Sequence, residues 1–285
     1  MKTRKILSVF GVAAGLALAS GPASAVIQFF TPITAFQDDD IEFVVDTNNN
    51  GLVDIGDRII AVGEIVNTQG VLPGQGPANI APEELTFVSD VTIIGLGGQG
   101  FIMGPSGAAG VLSGFGANTT IAAFTDISAD LNVINAACGT RAQCLALAGL
   151  GLTDGSVLFA TFGFGDADDI WTGTLPSGTI ADVEGGGSSS KFAEFNFSQT
   201  VLINNTGVTI GQQACAPFCS GLGDGLVDAT GSGDFLGGEF LNHDEWTARS
   251  DADVQIVVIP EPGSLALMGL ALAGLGALRR RKVRA

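Results

Sequence analysis

Tyrosine is absent from this 285-residue chain, histidine occurs once, and 12 basic residues stand against 29 acidic ones. Each shortage closes a class of function. Eight of the basic residues crowd the two ends, so the stretch 26–259 keeps only Arg58, Arg141, Lys191 and Arg249 against 28 acids, a net charge of −24. Such a surface repels nucleic acid and anionic lipid and attracts divalent cations, so a nucleic-acid partner is excluded. The lone histidine, His243 in "NHDEW", has no GxSxG nucleophile to serve. It reads as a surface residue that could join a metal shell with Asp244 or Glu245. Aromatic packing falls to 18 Phe and 2 Trp. "GLGGQG", Gly95 to Gly100, satisfies GxGxxG but runs on into more glycine and proline instead of a helix, which removes it as a dinucleotide fingerprint. No catalytic residue is readable. Acid pairs suited to glycoside hydrolysis have no visible spacing among 28 carboxylates.

What is present is clearest at the ends. "MKTRKILSVFGVAAGLALASGPASA" places Lys2, Arg4 and Lys5 before an uncharged apolar stretch, Ile6 to Ala19, and small residues at Ala23 and Ala25. This predicts a secretory signal peptide over 1–25. The other end reads "VIPEPGSLALMGLALAGLGALRRRKVRA". Pro260, Glu261 and Pro262 precede an uncharged run to Leu278, followed by Arg279, Arg280, Arg281, Lys282 and Arg284. The run sits at the short limit for a transmembrane helix, and the basic flank orients it with that flank inside and the body outside.

The tail resembles the PEP-CTERM sorting signal of Gram-negative bacteria: proline-glutamate-proline, short apolar helix, arginine cluster. The resemblance covers 260–285 and implies a membrane protease partner, the exosortase. It also implies export, transient anchoring in the inner membrane, and release to the cell surface or extracellular matrix. Proteins with this signal are often associated with biofilm or floc material.

Between the ends lies an acidic body, 26–259, long enough to bury a sizeable core. Apolar, β-branched runs recur between glycine-rich or acidic turns: Val26 to Phe30, Ile41 to Val45, Arg58 to Val66, Leu85 to Ile94, Thr119 to Phe124, Ser156 to Gly163, Lys191 to Ile203 and Val254 to Ile259. They predict one mainly β domain, an antiparallel sandwich or jelly-roll-like fold. One or two short helices are expected within Ser128 to Gly151, with Ser128 and Thr140 as N-caps and Gly149 as a stop. The segments from Gly95 to Gly116 and from Glu184 to Lys191 read as long glycine-rich loops. Cys138 with Cys144 and Cys215 with Cys219 form two local pairs, which in an exported protein predict disulfides.

"DTNNNGLVDIGD", Asp46 to Asp57, carries the one legible binding chemistry. Asp46, Asn48 and Asn50 occupy positions 1, 3 and 5 of a twelve-residue loop, Gly51 occupies 6, the Leu52 carbonyl serves at 7, Asp54 at 9 and Asp57 at 12, while Val53 points to the core. The pattern resembles the calcium loops of dockerin modules, though strands flank it here and aspartate closes it. The resemblance implies calcium as a structural cofactor of modest affinity. The other reading is a solvated Asn-Gly hairpin turn. Asp38, Asp39 and Asp40, close by in sequence, would add repulsion that a cation relieves. "SGLGDGLVDATGSGD" repeats the core at Gly225 to Asp228 but places Ser220, Leu222 and Gly231 where ligands belong, and "GDADDIW" is a further acidic turn.

These features favour an exported, non-enzymatic structural or adhesive protein, calcium-stabilised and held in an extracellular polysaccharide matrix. A calcium-dependent carbohydrate-binding module stacking sugars on Trp171 or Trp246 is the alternative, and a secreted hydrolase the third.

Overall fold

The computed structural model describes residues 27–80, 84–97, 100–126, 130–131, 140–151, 155–174, 183, 191–217, 219, 221–237, 248–260, 269–270 and 272. The strands are β1 (Ile33–Val45), β2 (Arg58–Gly70), β3 (Ala78–Asn79), β4 (Glu84–Gly97), β5 (Gly100–Pro105), β6 (Thr119–Asp126), β7 (Val157–Gly163), β8 (Ile170–Thr174) and β9 (Lys191–Asn204). β10 (Thr209–Gly211), β11 (Gln213–Ala214), β12 (Leu226–Val227), β13 (Ala229–Gly237) and β14 (Ala248–Ile259) complete those of the described residues, which also hold the α-helix α1 (Arg141–Leu147) and short 3-10 turns at Gly107–Ala109 and Ser113–Phe115.

Every pairing is antiparallel, and the order β1-β2-β4-β6-β7-β9-β13-β14 returns to β1. The fold is therefore an eight-stranded barrel with extra strands, where the sequence predicted a sandwich or jelly roll. β4 and β9 each change partner along their length. The first half of β4 pairs with β6 and its second half with β5, while β9 pairs with β8 early and with β7 late. Since β5 also pairs with β8, the wall between β4 and β9 is closed twice, at two heights.

Alternation sets the inner face. Asp38, Asp40 and Glu42 of β1, Ile59 and Ala61 of β2, Phe87 and Val91 of β4, Phe195 and Phe197 of β9, and Ala252 and Val254 of β14 all line the interior. Closure around so many phenylalanines needs glycine opposite them. Gly63 faces Phe87 across β2–β4, and Gly231 faces Phe197 across β13–β9. A Cβ at either glycine would fall within the partner's ring. This explains why "ATGSGDFLG", which reads as a turn, is the strand β13. Glycine-rich "GFIMGP", expected as loop, is the strand β5, where Gly100 lies against the Gly173 backbone and Gly104 against Ile94.

The helix packs on the outside. Ile41, Val62, Val88, Ala122 and Phe124 point outward from the barrel and bury themselves with Cys144 and Ala148. Thr140 caps α1 by accepting the Gln143 N–H at 3.3 Å, and Gly149, with φ +92°, ends it as predicted. Ser128 lies outside the described residues.

The two poles differ. β1 begins beside the end of β14, Ile33 opposite Val257, and runs to Val45 at the far pole. The 46–57 loop therefore sits at the opposite pole from Ile259, after which Pro260 follows directly. The stretch 26–30, expected as a strand, is instead described from Ile27 as an irregular segment covering the Ile259 pole. Phe29 stacks on Phe159 with centroids 6.1 Å apart and meets Phe36 edge-on at 6.2 Å.

Candidate functional site

The loop after β1 is built by its own side chains. Asp46 accepts the N–H of Asn50 at 3.2 Å and of Gly51 at 2.7 Å, Asn48 accepts the Asn50 N–H at 3.0 Å, and Asn50 accepts the Leu52 N–H at 2.7 Å. These Asx bonds bend the chain through left-handed conformations at Asn49, φ 56°, and Gly51, φ 74°. The side-chain amides of Asn48 and Asn50 donate to the two oxygens of Asp54 at 3.0 and 2.6 Å. Asp57 is fully buried and works differently. One of its oxygens accepts the Thr47 N–H and hydroxyl at 2.9 and 3.0 Å, and the other accepts the Asp54 N–H at 2.9 Å, so it ties the loop's ends together. Val53 tucks in against Val44, Ile59, Val91 and Ile93, as expected.

Tested against a cation's needs, the loop offers Asp46, Asn48, Asn50 and Asp54 as oxygen donors with the Leu52 carbonyl, while both oxygens of Asp57 are engaged within the loop. Among the described residues, the trio of carboxylates whose oxygens lie within 4.8 Å of one another is a different one, Glu84, Asp126 and Asp130 at the Ile259 pole. Burial and its acidic neighbours Glu64, Asp130 and Asp126 push Glu84 up to about 7, against the opposing Leu131 N–H.

Sequence reasoning missed the barrel interior. The strand expected from Ile41 to Val45 leaves Asp38–Asp40 outside it, yet all three residues lie within β1, and the strand's alternation turns Asp38, Asp40 and Glu42 inward. Between Gln37 and Asp40 the β1–β14 ladder is interrupted, and carboxylates substitute for it. Asp38 accepts the Ala252 N–H at 2.6 Å, and Asp40 accepts the Ser250 N–H at 2.8 Å and its hydroxyl at 2.6 Å. Burial is the main cause that raises all three acids. Asp38 stands well above the usual carboxylate range, with the nearby Asp40 adding to it. Asp40 is pushed up only to about 6, because Ser250 and a hydrogen bond from Glu42 favour its charge. Glu42, raised by burial and by Asp40, carries the proton of that pair. Opposite them stand Phe87, Phe195, Phe235 and Trp171 around a cavity of about 90 Å³. The available signal was the period-two placement of acids within a β-branched run.

Trp171 is buried at 7 % exposure, 4.8 Å from the Phe197 ring, so it presents no outer face on which sugars could stack. Trp246 and His243 lie outside the described residues. The two acidic turns read separately in sequence meet in space. Asp168 accepts the Leu226 N–H at 2.9 Å, and its hydrogen bond with Asp166 raises Asp166 to about 6 while lowering Asp168 itself. Asp169 gathers the N–H groups of Gly165 and Asp166 and the Thr200 hydroxyl. These carboxylates staple turns together. Gly225 to Asp228 serves as a partner in that staple, with Asp228 accepting the Val201 N–H.

Cys215 and Cys219 form a disulfide with Cα atoms 5.6 Å apart. Cys144 is also disulfide-bonded, while Cys138 lies outside the described residues. The signal segment and nearly all of the C-terminal tail lie outside them too, and among the described residues no helix is long and apolar enough to cross a membrane.

Comparison with known proteins places the tail. Residues 258–282 match the PEP-CTERM protein-sorting motif. The chain is thus an exported protein, sorted and processed at the membrane by exosortase. No curated protein matches it. Among solved structures, a nonspecific heme-binding cyclase that catalyses a 4 + 2 cycloaddition during neoabyssomicin biosynthesis aligns over 98% of this chain and 95% of its own, at 10% identity and a TM-score of 0.26. A likeness that low carries no argument.

Proposed function

We propose that the protein is a structural or adhesive β-barrel of the cell surface or extracellular matrix, non-enzymatic, with calcium steadying its outward pole. The observation that carries this reading is the junction of body and tail. The last barrel strand ends at Ile259 and the sorting tripeptide starts at Pro260. With no linker between them, the anchored barrel stands directly on the membrane, and the acidic 46–57 loop points away from it toward whatever the matrix holds. A body of net charge −24 meets other acidic polymers only through shared cations, which makes calcium a natural bridge as well as a clamp. In the loop, Asp46, Asn48, Asn50, Asp54 and the Leu52 carbonyl would hold the ion. The Asn48 and Asn50 amides that donate to Asp54 partly offset its charge in the ion's stead. Extracellular calcium modules bind in the range of roughly 10⁻⁴ to 10⁻³ M, which suits a fluctuating exterior.

The test is fractionation of a host that carries exosortase and expresses the full chain. With calcium present, the body is expected in the surface or matrix fraction, and chelator is expected to release it. The D46A variant should be released without chelator, and alanine at Pro260, Glu261 and Pro262 should leave the body in the membrane fraction. Matrix association that ignores both chelator and D46A would overturn the calcium-dependent reading.

A further inference from the structure

We infer that the pole of the barrel around Ile259 is a membrane-seating surface, whose exposed Val71, Leu72, Val157 and Ile259 enter the headgroup layer of the bilayer that holds the tail. The inference rests on the anchored barrel proposed above and adds to it a lipid contact made by the body itself. Its first support is distance. Pro260, Glu261 and Pro262 alone link the end of β14 to the uncharged run that follows in sequence. Fully extended, three residues reach roughly 10 Å. Each polar layer of a bilayer is roughly 5–8 Å deep. A barrel tethered this closely cannot stand clear of the lipid, so the surface of this pole has to suit it.

The second support is what that surface carries. β2 ends at this pole, where Gly70 pairs with Thr34, and the turn after it exposes Val71 and Leu72. The turn is tied to the root of the tail. The Gln75 side-chain amide donates to the Thr31 carbonyl at 3.0 Å, and the next carbonyl, of Pro32, accepts the Val258 N–H at 2.8 Å. From Ile259, itself exposed, the rim continues through Thr209 of β10 to Asn205, which donates to the carbonyls of Phe159 and Leu158 beside exposed Val157. Scattered singly, such side chains would mean little; gathered on one rim they mark an interaction surface. The segments that build the rim, 27–33, 70–80, 204–211 and 257–260, hold no charged residue, in a body of net charge −24. Among the acids described near them, Glu84 and Asp126 are buried and Asp130 is exposed. The opposite pole also exposes Leu52 and Ile55, but beside Asp46 and Asp54. Anionic lipid repels an acidic surface and leaves an uncharged apolar rim free to approach.

The test reconstitutes the full-length chain in phosphatidylcholine vesicles, with an environment-sensitive dye on L72C or on I55C at the opposite pole. The two native residues are equally exposed, at 50 % and 53 %, so only position differs. A nitroxide on the lipid headgroup should quench the L72C dye at least roughly fivefold more than the I55C dye. Leu72 sits in an exposed turn, so L72D removes no packing. With the dye moved to V157C, L72D should cut its quenching by roughly half. Vesicle flotation separates this inference from the anchoring beneath it. A chain that floats with both dyes equally unquenched overturns the seating and leaves the anchor standing, whereas a chain that fails to float overturns both. Undiminished V157C quenching in L72D would show that the tail alone holds the pole down, which also overturns the proposal. Quenching of L72C only in vesicles that contain exosortase would assign the rim to the protease and overturn it too.

Discussion

One oxygen of Asp40 accepts both the Ser250 N–H at 2.8 Å and the Ser250 hydroxyl at 2.6 Å, so a side chain replaces a ladder bond between β1 and β14 inside the barrel. The arrangement stabilises the carboxylate only in part, since Asp40 still titrates at about 6 and Glu42 and Asp38 higher than usual.

Acid should therefore stabilise this protein. Unfolded, the interior acids release their protons near roughly pH 4; folded, they keep them to higher pH. Between roughly pH 4 and 7 the folded chain holds more protons than the unfolded one, so stability falls as pH rises through the folded values, with Glu84 extending the window to about 7. Thermal melts across this range should show it. E42Q removes a buried titrating group whose proton affinity is raised on folding, and each tenfold rise in that affinity costs about 1.4 kcal/mol of stability once the pH exceeds the folded value. The variant should raise the neutral-pH Tm by a few degrees and flatten the profile. An unchanged profile in E42Q would locate the dependence elsewhere.

Outside the barrel, Asp90 makes the opposite kind of contact. It binds Arg58 in a two-point ion pair and accepts the Ser106 hydroxyl and the Val111 N–H, both at 2.6 Å. Its side chain is fully buried. D90A strands a partly buried guanidinium and two donors, and should cost about 3–5 kcal/mol in urea unfolding. A loss below about 1 kcal/mol would mean water replaces the carboxylate freely.

The glycine-phenylalanine pairs predict a packing cost. G231A drives a methyl group into the ring of Phe197, and G63A does the same to Phe87. Overpacking of this kind costs roughly 1–3 kcal/mol. A double variant with Phe197→Leu should recover part of the loss in G231A. No recovery would show that backbone strain, not the ring, sets the cost.

Calcium at the 46–57 loop is read by melting the chain with chelator and with millimolar calcium. At roughly 100 times the dissociation constant an ion adds about 2.7 kcal/mol, a shift of several degrees for a domain this size. D46A should lose the shift and also lower the calcium-free Tm slightly, since Asp46 holds the Asn50 and Gly51 N–H groups. A wild-type melt indifferent to calcium would leave the loop a self-capped hairpin turn.

Much of the local structure was legible because short-range chemistry decides it. Thr140 and Gly149 bound their helix through a cap and a left-handed stop, Val53 turned to the core, and Cys215 reached Cys219 across three residues. The β1 boundary was not legible, since Asp38–Asp40 falls outside the apolar run until a neighbouring strand supplies N–H groups to meet it. β8 and β13 were hidden because glycine looks like a turn unless a phenylalanine is known to lie opposite.

By itself the sequence determined the destination of this protein, because export and sorting signals are read as linear segments: Pro260, Glu261 and Pro262 act by identity and order. It also determined a mainly β body, since side-chain alternation is a property of one strand. Whether that sheet stays open or closes is a property of all the strands at once. Only the tertiary structure decided on a barrel, and only closure turned Asp38, Asp40 and Glu42 from three acids on a strand into a row of buried carboxyl groups facing an aromatic cavity.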